Sequence, residues 1–248
     1  MSVWETPTGW AGDDEQPALA ELVVQLRRRA GVVGIAVGGS VARGAARAGS
    51  DLDILVLVDV NAGTPSRVEA FRYAGRPTEV LFLREDALRD IVRDEPGGTQ
   101  TISTWAGARI LDDTDGRLAG LLAALEARYR RGPSPLTAEE RDYALFEMEH
   151  ARALIGEAAA SSAPTEQATC HLLIAGATHI AANILLRRAH RWPVGWRQTL
   201  RALRALDSAA AALAERALAA PNGDAVDAAQ GLLDHAQRAL DGPLRPGP

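Results

Sequence analysis

A chain of 248 residues that is 47% hydrophobic has enough apolar side chain for one large core or two smaller ones, with no disulfide or structural metal required. Its single cysteine, Cys170, excludes an intramolecular disulfide and points to a reducing compartment, the cytoplasm. A net charge of -5 argues against a broad electrostatic footprint for nucleic acid, so none is expected as a partner.

The N-terminal stretch MSVWETPTGWAGDDEQ is acidic and lacks the basic start and apolar run of a secretory signal. The most apolar stretches are short or are interrupted by His171, His179 and Asn183, so a membrane span of ~20 apolar residues is not expected. All 27 basic residues are arginines and alanine is abundant, which reads as genome composition.

Residues 16–30 predict a helix with Leu19, Leu22, Val23 and Leu26 on one face, ended by Gly31. GVVGIAV, rich in β-branched residues, predicts a buried strand over 32–37, and Gly38-Gly39 turns the chain toward a short helix. DLDILVLVDV is a second strand. RVEAFRY and PTEVLFL are two more, joined through Ala74-Gly75-Arg76 as a hairpin. Helical patterns then cover 86–95, 98–106 and 115–131, with a short extended piece at 109–111 after a sheet of about four strands.

RRGPSPLTAEE carries two prolines and then a helix start, with Thr137 as N-cap and Glu140 completing a capping box. A boundary here divides the chain into 1–132 and 133–248. Beyond it, helices are expected over 138–160, 165–191, 196–220 and 223–240, and the alanine-rich stretch SAAAALAERALAA reads as a closely packing helix. The fold class is α+β: a mixed sheet flanked by helices, then an α-helical bundle.

Chemistry concentrates in the first segment. Asp51 and Asp53 are two apart on a strand, so both carboxylates face the same way at its start. Two like charges so placed are costly without a cation, and hard oxygen donors on a rigid strand suit Mg²⁺. The competing reading is an exposed turn over Gly49-Ser50-Asp51. At Gly38-Gly39-Ser40, backbone N–H groups and a hydroxyl lie where a strand passes into a helix, an arrangement suited to phosphate, or simply to a tight turn. Glu79 is an acid within the apolar run PTEVLFL, needing a metal, a proton or an ion pair such as one to Arg76.

Strand, Gly-Gly-Ser, a ten-residue insert from Val41 to Ser50, then Asp-x-Asp leading another strand: this order resembles the DNA polymerase β-like nucleotidyltransferase superfamily. The resemblance spans roughly residues 18–113. It implies that Asp51, Asp53 and Glu79 are the catalytic and metal-binding carboxylates, and that Gly38, Gly39, Ser40, Arg43 and Ser50 surround the nucleotide. Two Mg²⁺ ions and ATP as co-substrate follow from it, with Glu79 as metal ligand, base or both. Arg43 would hold the triphosphate or brace Asp53; Arg47 reads as surface.

The helical tail adds a looser likeness to aminoglycoside and lincosamide adenylyltransferases. Residues 1–132 would then be the catalytic domain and 133–248 a substrate-binding one. The expected reaction moves a nucleoside monophosphate, AMP from ATP, to a hydroxyl of a small molecule such as an aminoglycoside or related antibiotic, releasing pyrophosphate. The protein would act as a monomer or homodimer. Ser40-x-x-Arg43-Gly44 also resembles small antitoxin-type nucleotidyltransferases that modify a partner protein, and a catalytically silent nucleotide-binding protein is a third reading. In the tail, Glu147, Glu149 and His150 offer groups for a cationic acceptor and Trp192 and Trp196 an aromatic wall, although positions 147 and 149 cannot share a helix face. His171 and His179 read as core or interface residues.

Overall fold

The computed structural model describes residues 15–47, 49–93, 99–220 and 222–241. Residues 1–14 of the acidic N-terminal stretch, residues 94–95 and 98 of two predicted helices, and Pro221 lie outside them. Packing divides the chain into two compact units, Met1–Arg131 and Gly132–Pro248.

In the first unit, α1 (Glu15–Arg27) leads into β1 (Val32–Val37), the four-residue helix α2 (Gly39–Ala42) and β2 (Leu52–Val58). The hairpin β3 (Arg67–Tyr73) and β4 (Arg76–Arg84) turns through Ala74 and Gly75, both at positive φ. Then come α3 (Glu85–Arg93), α4 (Thr99–Trp105), β5 (Arg109–Asp113) and α5 (Arg117–Arg130). The sheet order is β3-β4-β2-β1-β5, with β2 and β4 parallel and every other pair antiparallel.

β2 is the central strand: Ile54 to Val58 are buried on both faces, as the unbroken apolar run requires. Leu22 and Leu26 of α1 close one side with Ile35, Val37, Ile54, Val56, Val80 and Phe82. Although four strands and a separate extended piece are expected, that piece becomes β5 and extends the sheet beside β1. Of its five residues only Leu111 is buried, so its local pattern is faint and the partner strand, far away in sequence, defines it.

Where β2 and β4 end, Arg117 clamps the sheet to α5. Its Nη1 donates to Asp59 Oδ2 at 2.8 Å and Glu85 Oε2 at 3.1 Å, and its Nε donates to Asp115 Oδ2 at 2.8 Å. Glu85 is only 7% exposed, so removing Arg117 takes one of its two arginine partners, Arg89 being the other, from a buried charge. Arg117→Leu is therefore expected to lower the melting temperature by several degrees. The clamp lies at the end of the strands away from Asp51 and Asp53, and an unchanged melting curve would contradict it.

The second unit holds α6 (Ala138–Ala159), α7 (Pro164–Arg188), α8 (Thr199–Leu206), α9 (Ser208–Ala219) and α10 (Asn222–Asp241). The capping box forms: Thr137 Oγ1 accepts from the Glu140 amide at 3.1 Å, and Glu140 Oε2 accepts from the Thr137 amide at 2.8 Å. Alanines let the helices approach closely, with Ala210, Ala211, Ala214 and Ala217 of α9 buried against Ala225, Ala228 and Ala229 of α10.

The single helix expected over 196–220 is instead divided into a 3-10 turn, α8 and α9. Asp207 breaks it: its backbone is extended, its carboxylate accepts from the Ala210 amide at 3.0 Å and it pairs with His235 at 2.7 Å. One further expectation needs correction. α7 is long and apolar enough to cross a membrane by length and composition, despite His171, His179 and Asn183. Half of its apolar window is buried, and it packs against α6, α8, α9 and α10 as the bundle's core helix.

Candidate active site

The site begins where β1 ends. Gly38 is extended (φ -117°) and donates its N–H to the Asp53 carbonyl at 2.9 Å, tying the turn to β2. Gly39 takes a left-handed conformation (φ 59°). A Cβ on Gly39 would lie 1.8 Å from Asp53 Oδ2, so the carboxylate rests directly on the glycine backbone. On Gly38 a Cβ would lie 2.5 Å from Cε3 of Trp105, the last residue of α4, which is 3% exposed. Beside the turn, the Ser40 hydroxyl is buried with no hydrogen-bond partner among the described residues. Such an oxygen is costly unless something outside the chain occupies it.

The carboxylates stand along the same edge. Asp51 precedes β2 and is exposed, Leu52 turns inward, and Asp53 is half-buried. The parallel register sets Asp53 directly beside Glu79 of β4. Burial, then the charges of Asp51 and Glu79, raise the Asp53 carboxyl from 3.8 to about 6, and Arg43 acts the other way. Among the described residues no three His, Cys, Asp or Glu side chains are already gathered closely enough to grip a metal together. The fit is one of charge and donor type: hard oxygens that repel one another, two of them on exposed side chains able to swing inward.

Glu79 differs from its sequence reading. Thr78 and Val80 are buried, but strand alternation turns Glu79 outward and exposed, so the apolar flanks do not enclose it. The carboxyl that rises toward neutrality is Asp53. Ser50 is buried, and its hydroxyl accepts from the Arg47 amide at 2.9 Å while its own amide donates to the Arg47 carbonyl. It thus closes the turn that delivers Asp51, and Arg47 and Arg43 are both exposed.

The candidate acceptor residues of the helical unit scatter. Met148 is fully buried between Glu147 and Glu149, so the two acids leave α6 in different directions. His150 is stacked on Phe146, with ring centroids 5.9 Å apart. Trp192 is buried, whereas Trp196 is 63% exposed and lies on the His179 ring at 4.1 Å. His179 is held by Thr199 Oγ1 and Asn183 Nδ2, each at 3.1 Å, and burial lowers its pKa, so the neutral imidazole is favoured. The two tryptophans therefore do not form one wall. Trp105 carries no local sequence pattern that joins it to Gly38.

Residues 19–96, which carry this glycine turn and these carboxylates, match the nucleotidyltransferase domain family. That segment contains Gly38, Gly39, Ser40, Asp51, Asp53 and Glu79, and the match supports nucleotidyl transfer as the general reaction. Among solved structures, the chain is similar to a nucleotidyltransferase-like protein from Exiguobacterium sibiricum 255-15, 14% identical with a TM-score of 0.46, covering 91% of this chain and 75% of that one. No curated protein matches.

Proposed function

We propose that the protein is a Mg²⁺-dependent nucleotidyltransferase that moves AMP from ATP to a hydroxyl of a small molecule of the aminoglycoside type, releasing pyrophosphate. The observation that carries this reading is the lodging of Asp53, pushed up to about 6, between Asp51 and Glu79 and against the Gly38-Gly39-Ser40 turn. Asp51, Asp53 and Glu79 would hold Mg²⁺, which when bound neutralises charge on the phosphates and on the departing pyrophosphate.

The chain's own groups do the rest. The Gly39 and Ser40 N–H groups and the Ser40 hydroxyl bind phosphate oxygens, the Gly38 N–H being held by the Asp53 carbonyl, and Arg43 adds positive charge beside them. The acceptor oxygen bonds to the α-phosphorus, the bond from that phosphorus to the bridging oxygen breaks, and pyrophosphate leaves. Glu79, exposed beside Asp53, takes the hydroxyl proton when it is not occupied as a ligand. The helical unit is the candidate for acceptor recognition: the exposed Trp196 offers an aromatic contact, and Glu147 or Glu149, which point in different directions, an acidic one for a cationic polyol.

Incubation with each of the four nucleoside triphosphates, Mg²⁺ and an acceptor panel tests this by pyrophosphate release and mass spectrometry. Acceptor mass should rise by one AMP, and Asp51→Asn should abolish the gain. Pyrophosphate from none of the triphosphates, or full activity in Asp51→Asn, would overturn the assignment.

A further inference from the structure

Trp105 lies outside the segment that matches the nucleotidyltransferase family, yet its ring presses on the turn at the heart of the site. Gly38 and Gly39 are held from two sides. Asp53 Oδ2 touches one glycine and the indole touches the other, with the Thr104 carbonyl 3.3 Å from the same Cβ position on Gly38. The backbone that carries the ring is itself anchored. The Trp105 carbonyl accepts from the Ala108 amide at 3.0 Å, the Gly107 amide donates to Glu126 Oε2 at 2.9 Å, and Ile102 of α4 is fully buried. Arg109, at the start of β5, pairs with Val37, the residue before Gly38, so strand register carries the α4–β5 junction to the turn.

Resting on the nucleotidyl-transfer reading, we infer that Trp105 is a positioning residue, a rigid backstop that holds the Gly38-Gly39 turn against Asp53 and so sets how well the triphosphate is bound. Without the ring, the Gly38 backbone gains room to move away from β2. The amides of the turn and the Asp53 carboxylate then lose their fixed separation, and that separation is what allows one nucleotide to meet both.

Gly38 supplies the decisive test. Its φ of -117° is open to any residue, so an alanine there is opposed by the indole and not by the backbone. Gly38→Ala should weaken triphosphate binding by about 10²-fold, whereas Trp105→Leu should raise Kd and KM by about 10-fold with a smaller effect on kcat. In the double variant the smaller leucine makes room for the added methyl, so Gly38→Ala/Trp105→Leu should bind better than Gly38→Ala alone.

The experiment uses the full chain, with Kd for ATP, GTP, CTP and UTP measured by calorimetry in Mg²⁺, transfer kinetics beside it, and thermal unfolding to confirm that each variant folds. Trp105→Phe, which keeps a ring, is read in place of Trp105→Leu should the latter not fold, with a smaller rise expected. Wild-type Kd and KM in the folded Trp105 variants, or a double variant no better than Gly38→Ala, would overturn the backstop while leaving nucleotide binding intact. A wild-type protein that binds none of the four triphosphates removes the nucleotide reading and this inference with it.

Discussion

Asp53→Asn is expected to reduce nucleotidyl transfer by roughly 10³-fold while making the metal-free protein more stable at pH 8. The two effects share a cause. With its pKa raised to about 6 in the folded chain, the Asp53 carboxyl is disfavoured as an anion by burial and by Asp51 and Glu79. Below pH 3.8 it is protonated in folded and unfolded chains alike and imposes no penalty. Between 3.8 and about 6 the unfolded chain loses its proton first, so stability falls as pH rises, and above about 6 the penalty is complete.

Asparagine keeps the shape and removes the charge. Its gain in melting temperature should therefore be larger at pH 8 than at pH 4.5. Added Mg²⁺ should narrow the gap by stabilising the wild type and not the variant. Melting curves at the two pH values, with and without Mg²⁺, check this directly. An asparagine variant less stable than wild type at pH 8 would show that Asp53 is held by attractive contacts and is not strained by its neighbours.

Much of the site is visible in sequence because its parts are local. Gly38-Gly39-Ser40 and Asp51-x-Asp53 lie within sixteen residues, at the end of one apolar run and the start of the next. Strand alternation alone puts the two aspartates on one face. Glu79 was recognisable as the odd acid in PTEVLFL, but its surroundings depend on strand pairing. In the sheet it meets Asp53 across a parallel ladder and faces outward. An apolar run shows which strand is buried, and not which side of each residue is covered.

Non-local contacts set the features that stayed hidden. β5 becomes a strand by pairing with β1, although only Leu111 of its five residues is buried. Trp105 reaches Gly38 from a different helix, through a sheet register that no spacing rule encodes. At Asp207 the helical pattern continues on either side, while its carboxylate caps α9 and pairs with His235, an interaction supplied by α10. The alanine-rich stretch over 208–220 is legible as a closely packing helix, because alanine favours the helix and its small side chain permits close approach.

Gly39→Ala is the second substitution expected to have a large effect, and it differs in kind from Gly38→Ala. Two costs coincide. The left-handed backbone (φ 59°) strains any residue with a Cβ by about 1–2 kcal/mol, and the added methyl would sit 1.8 Å from Asp53 Oδ2 and 3.0 Å from its Cγ. The carboxylate is the movable partner, so it must swing off the turn. The fold should survive with a modest loss of melting temperature, while transfer falls by about 10²-fold or more because Asp53 leaves its place beside Glu79. Trimming Trp105 cannot relieve this clash, since the indole lies against Gly38. Gly39→Ala/Trp105→Leu should therefore be no more active than Gly39→Ala. Recovery of activity in that double variant would mean that Asp53 is not what Gly39 accommodates.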